Sequence, residues 1–129
     1  DEGSLMRLIS LTAGLAFLAT AAQADMKPES FEAETVGSLQ KLCAADEATT
    51  DGKYAIGFCY GWIEGLGQFY EQLVLDKRFD VKPVVCAGKE LTREEVRATF
   101  VTWANANPNA AGEPALRGLV TALKEKHPC

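Results

Sequence analysis

Apolar residues recur along Lys53–Leu75 at three- and four-residue steps, at Ala55, Cys59, Trp62, Leu66, Phe69 and Leu73. That spacing predicts one helix of about six turns at 3.6 residues per turn, with the stripe as its inward face. Gly57, Gly61 and Gly65 recur at steps of four on another side of the same helix. A glycine inside a helix costs about 1 kcal/mol relative to alanine, and close approach of another backbone is the usual compensation. The helix is therefore expected to pack on two sides and to form the centre of the fold.

The flanking pattern predicts three shorter helices. One lies within Phe31–Ala45, with Val36, Leu39, Leu42 and Cys43 inward and Ser30 or Thr35 as its cap. Ala45–Gly52 lacks apolar periodicity, ends in Asp-Gly and is expected to be a loop. In Asp76–Leu91, Pro83 and the Val84-Val85 pair break the helical pattern and favour extended chain. Thr92-Arg93-Glu94-Glu95 then matches a capping box, opening a helix with Val96, Phe100 and Trp103 on its apolar stripe. Asn107-Pro108-Asn109 ends it. Pro114 suits the first position of the last helix, whose inward face is Leu116, Leu119, Val120 and Leu123, and Pro128 stops it. The expected class is all-α, a small bundle of about four helices.

The first residues look removable. Met6 and Arg7 precede a short apolar run and the Ala22-Gln23-Ala24 site, the three parts of a secretory signal peptide cleaved after Ala24. The run is shorter than the roughly 20 residues a spanning helix needs. Residues 1–24, including the upstream DEGSL, are set aside from the expected domain, 25–129. That domain is expected to be exported and to carry no membrane anchor once mature.

The chain's formal charge is −5, with 18 acidic and 13 basic residues and one histidine. Removing Asp1, Glu2 and Arg7 with the leader makes it less negative by one. An acidic domain without a basic stripe is a poor match for nucleic acid or anionic membrane. Cys43, Cys59, Cys86 and Cys129 all fall in the exported part, where an even count reads as two disulfides. The short connection between the last two helices favours antiparallel packing, which brings Cys86 near Cys129. Cys43 and Cys59 both follow inward-facing residues on consecutive helices. Of the three connectivities, 43–59 with 86–129 is expected.

No constellation for catalysis emerges. His127 lies two residues from Cys129, where a disulfide and a solvated histidine explain both better than a nucleophile and its base. A lone His-x-Cys is too little for a metal, and neither a haem-attachment pattern nor a phosphate loop is present, so no cofactor is expected. Glu94 and Glu95 suit the first turn of a helix, and Glu64 a salt bridge or a solvated flank. The aromatics are expected to pack rather than to cage a ligand. The expected role is binding, without enzymatic activity.

Phe58-Cys59-Tyr60-Gly61-Trp62-Ile63-Glu64-Gly65, then Cys86, then Ala122-Leu123 and His127-Pro128-Cys129 carry a resemblance. Over about Leu39 to Cys129 the chain resembles the Rap/Tai family of periplasmic immunity proteins, whose pattern runs FCxGYxxG, a mid-chain cysteine and a terminal AL…PC. Trp62 stands where tyrosine is common, and Asp76–Leu91 is long and polar for the family. The resemblance implies an all-helical, commonly dimeric domain that blocks a peptidoglycan amidase delivered by a type VI secretion system. A periplasmic acid-stress chaperone, or another small envelope binding protein, is the rival expectation. A homodimer through the ridge of Gly57, Gly61 and Gly65, or through the aromatic surface near it, is expected, because the central helix offers more surface than three short neighbours cover. Since an amidase site is a cleft, the expected contact with it is Asn105, Asn107, Asn109 and Glu113, on a connection of small and polar residues limited by Pro108.

Overall fold

A computed structural model describes residues 31–129 of the chain. The expected leader, 1–24, and its cleavage site lie outside the described residues. Among the described residues the chain runs through four helices, α1 (Val36–Cys43), α2 (Thr50–Leu75), α3 (Arg93–Ala106) and α4 (Ala115–Lys126), with a 3-10 turn at Pro108–Ala110 between the last two. Among the described residues there is no strand, only an isolated bridge between Thr35 and Pro114. The all-α reading holds.

Each helix starts where its local chemistry allows. Thr35 caps α1 in a capping box with Ser38, and Thr92 caps α3 in one with Glu95. In each, two backbone N–H groups that lack a helical partner find side-chain acceptors. Thr49 caps α2 by accepting from the Gly52 N–H at 2.9 Å, so the helix begins before Lys53 and takes in Asp51-Gly52, expected to be loop. Gly52 is required there, because a Cβ would sit 1.7 Å from the Asp46 carbonyl oxygen. Pro114 stands at the cap of α4 rather than at its first position.

The core joins all four helices: Val36, Leu39 and Cys43 of α1, Cys59 and Ile63 of α2, Val96 and Phe100 of α3, and Leu119 of α4. Every predicted inward position of α1 is buried. In α2 the buried line is Gly52, Ile56, Cys59 and Ile63, rotated from the predicted stripe. Of that stripe only Cys59 is fully buried, and Phe69 is 62 % exposed. On α4 small residues face inward, Ala115, Gly118 and Ala122 with Leu119, while Leu116 is exposed. Their size lets α4 lie close to its neighbours, since a Cβ on Gly118 would be 2.4 Å from Val36 Cγ2. The Gly57–Gly61–Gly65 ridge, by contrast, meets nothing within 4 Å and is exposed. The two-sided packing of α2 within one chain is therefore corrected: its glycine side faces outward.

Both expected disulfides are present, Cys43–Cys59 and Cys86–Cys129, spanning 16 and 43 residues. On loop-entropy grounds they are worth about 3 and 4 kcal/mol, much of the 5–15 kcal/mol of a typical domain.

Candidate functional site

The surface beside the first disulfide is built by matched positions on α2 and α3. Tyr60 and Glu64 stand four residues apart on α2, and Arg93 and Arg97 four apart on α3, so each pair shares one helix face. Both guanidinium groups lie over the Tyr60 ring, at 4.8 Å for Arg93 and 5.5 Å for Arg97. Arg93 also bridges Glu64 at 3.0 Å and Glu94 at 2.9 Å. Arg97 is more enclosed. It donates to the Cys43 carbonyl at 2.6 Å, to Glu47 at 2.6 Å and to the Tyr60 hydroxyl at 3.1 Å. Burial opposes its charge, and Glu47 and Tyr60 outweigh that, so the group is held protonated.

A shallow depression of about 690 Å³ opens over this network, bordered by Ala44, Glu47, Ala98 and Thr102. Along α3, Ala98, Thr102 and Asn105 continue as an exposed line toward the α3–α4 connection. At the helix start the Arg93 guanidinium beside Glu94 draws that carboxyl below its ordinary range. Lys89, with the Thr92 N–H, holds Glu95 lower still, at about 2.

The connection itself is pinned. Val36 N–H donates to the Glu113 carbonyl at 2.8 Å, Gly37 N–H to Ala111 at 2.9 Å, and Ala115 N–H to Glu34 at 2.9 Å. Two donors of the first turn of α1 thus find their acceptors in the connection, which becomes a rigid ledge. Gly37 permits this approach, as a Cβ would lie 3.1 Å from the Ala111 carbonyl oxygen. Of the four residues predicted to meet a partner, two are already engaged. Asn105 accepts from Gln40 at 2.6 Å, and Asn107 donates to the Trp103 carbonyl at 2.8 Å. Asn109 and Glu113 are exposed and make no side-chain hydrogen bond among the described residues. Sequence reasoning missed the Tyr60 network, although the two i, i+4 pairs were there to be read.

A second concavity, about 540 Å³ and almost wholly apolar, runs along the distal half of α2. α2 has 26 residues and α3 14, so α2 overhangs by about 18 Å at 1.5 Å per residue. The 76–91 segment folds back beneath the overhang, with Val84 N–H donating to the Tyr70 hydroxyl at 2.8 Å, and leaves the groove between. Phe69, Leu73, Val85, Leu116 and Leu123 line it. Among the described residues no group of three or more His, Cys, Asp or Glu could hold a metal ion, and no helix is long and apolar enough to cross a membrane.

Residues 35–129 match the family model described as Rap1a immunity proteins. No curated protein and no solved structure matches the chain.

Proposed function

The chain belongs to the Rap1a immunity protein family, and from that premise we propose that it is a periplasmic immunity protein that binds and inhibits a peptidoglycan amidase effector of a type VI secretion system. The observation that carries the reading is the extent of the family match, which spans all four helices and both disulfides. Two disulfides suit an oxidising compartment, where an incoming cell-wall enzyme has to be met. Membership implies recognition of a cognate effector by surface complementarity; catalytic groups are not required for it.

We place the inhibitory contact on the α3–α4 ledge, at Asn109 and Glu113, with the exposed line Ala98–Thr102–Asn105 as its flank. A ledge held by backbone hydrogen bonds loses little freedom on binding, so more of its contact energy appears as affinity. Asn105 and Asn107 shape the ledge through their existing bonds. The exposed glycine ridge of α2 is the second contact in this reading, between two copies of the chain.

The test is inhibition of the cognate amidase by wild type and by N109R with E113R. These substitutions keep the Glu113 and Ala111 carbonyls that α1 needs. Folding should be unchanged by circular dichroism and inhibition weakened at least about tenfold, the equivalent of about 1.4 kcal/mol. Wild-type inhibition by the double variant would move the contact elsewhere. No inhibition of any co-encoded exported amidase by wild type would remove the amidase reading.

A further inference from the structure

The two disulfides sit in opposite environments, and that difference has chemical consequences. Cys43 and Cys59 are both 0 % exposed and belong to the core cluster. Cys86 and Cys129 are both exposed and lie outside that cluster. Thiol–disulfide exchange needs a thiolate to reach a sulfur along the S–S axis, so access decides which bond reacts. The exposed bond is also placed where its loss would be felt. Val84, Val85 and Ala87, on either side of Cys86, form one wall of the apolar groove beneath the α2 overhang.

We propose that Cys86–Cys129 is a redox-sensitive latch on the wall of the apolar groove, opened selectively by a dithiol reductant while Cys43–Cys59 stays closed. A thiolate of the dithiol attacks the sulfur of one of these two exposed residues. The Cys86–Cys129 bond breaks, a mixed disulfide forms, and the other cysteine leaves as a thiolate that takes a proton from water. The reductant's second thiolate then attacks the mixed disulfide and releases the remaining cysteine. The dithiol is oxidised by two electrons to a cyclic disulfide, and the protein's cystine is reduced by the same two.

The polar contacts that then remain to hold the wall are few, while Leu91 at its far end stays packed against the core. Cys86 N–H donates to the His127 carbonyl at 2.9 Å, Val84 N–H to the Tyr70 hydroxyl at 2.8 Å, and Lys89 bridges Glu95 at 2.6 Å. All three contacts are exposed or lie at the end of a helix, where opening is least costly. None belongs to the buried cluster that joins the four helices, so the bundle stays folded as the wall loosens.

The full chain is treated with millimolar dithiothreitol, sampled over time, alkylated and mapped, with far-ultraviolet circular dichroism in parallel. Cys86 and Cys129 should be alkylated on the order of a hundredfold faster than Cys43 and Cys59, since the buried pair waits for core opening. The helical signal should persist. Amide exchange at Val84 and Cys86, whose N–H groups are hydrogen-bonded to the Tyr70 hydroxyl and the His127 carbonyl, should rise at least about tenfold in the singly reduced form, together with binding of a hydrophobic dye. Loss of both disulfides in step with the helical signal would overturn the proposal. So would selective reduction that leaves exchange at those two amides unchanged. The C86S, C129S double variant should show the fast exchange without reductant and be indifferent to it; retained protection there would also overturn the latch. If that variant does not fold, the singly reduced wild-type chain decides by the same exchange measurement.

Discussion

Thr92 holds the start of α3 through one hydroxyl, which accepts from the Glu95 N–H at 3.2 Å while Glu95 accepts from the Thr92 N–H at 3.0 Å. Replacing Thr92 by alanine should cost about 1 kcal/mol. That is a fall of about 4–8 °C in melting temperature for a domain of this size, read by calorimetry at pH 7. T92S should keep most of the stability. This box was legible because all its members lie within four consecutive residues. The Tyr60 cluster was not, although both its i, i+4 pairs are as plain in the chain. Which Arg meets which Glu depends on the relative rotation of α2 and α3, and that is fixed only when Cys59, Ile63, Val96 and Phe100 pack together. Asn105 and Asn107 show the same limit: polar residues on a connection read as free, yet Gln40 and the Trp103 carbonyl had claimed them.

At the scale of the helix, α2 was legible as an element and illegible in its phase. Its apolar residues surround so much of the cylinder that two stripes satisfy the period, and the one read from the apolar spacing is rotated from the buried line. The inward line is set by Cys59, tied to Cys43, with Ile56 and Ile63 one turn away on either side. Glycine spacing alone could not say which glycines are crowded. Gly118, outside that ridge, is the one that lets α4 approach, whereas Gly57, Gly61 and Gly65 have open space. The two kinds should respond oppositely to one added methyl. Gly118→Ala should lower stability by about 1–3 kcal/mol through overpacking against Val36. Gly61→Ala should raise the stability of the folded chain by about 0.5–1 kcal/mol, as helix propensity dictates where nothing is displaced. Denaturant midpoints at fixed slope distinguish the two. Gly61→Leu then examines the ridge as a contact between copies. Light scattering at micromolar concentration should show wild type as a dimer and this variant as a weaker one; a monomeric wild type with its fold intact would remove the dimer.

At the scale of the molecule, the bundle and its disulfide pairing were legible because a short connection, antiparallel packing and four cysteines leave few ways to close the chain. The apolar groove was not, since it arises from the unequal lengths of α2 and α3 and from where the 76–91 segment folds back. Acid behaviour is likewise a property of the whole surface. The carboxylates whose affinity for protons is displaced, Asp76 beside Arg78, Glu94 beside Arg93 and Glu95 beside Lys89, are all displaced downward. A carboxylate with a depressed folded pKa contributes stability above its unfolded value and loses it as pH falls through the folded one. For Glu95 that window runs from the ordinary 4.5 down to about 2. Stability should therefore fall with pH only in this acid range as far as these three groups govern it. Because all three pairs are exposed, 0.5 M salt should shrink the acid loss, the screening length then being only a few ångströms. Glu95→Gln should flatten part of the same limb, since its side chain still accepts from the Thr92 N–H and no longer titrates. Thermal melts from pH 8 to pH 2 at two salt concentrations check each statement. An unfolding step centred between pH 5 and 7 that exposes dye-binding surface would contradict them and revive the acid-chaperone expectation. A profile flat through that interval leaves a domain that stays folded through mild acid, as a standing inhibitor would need.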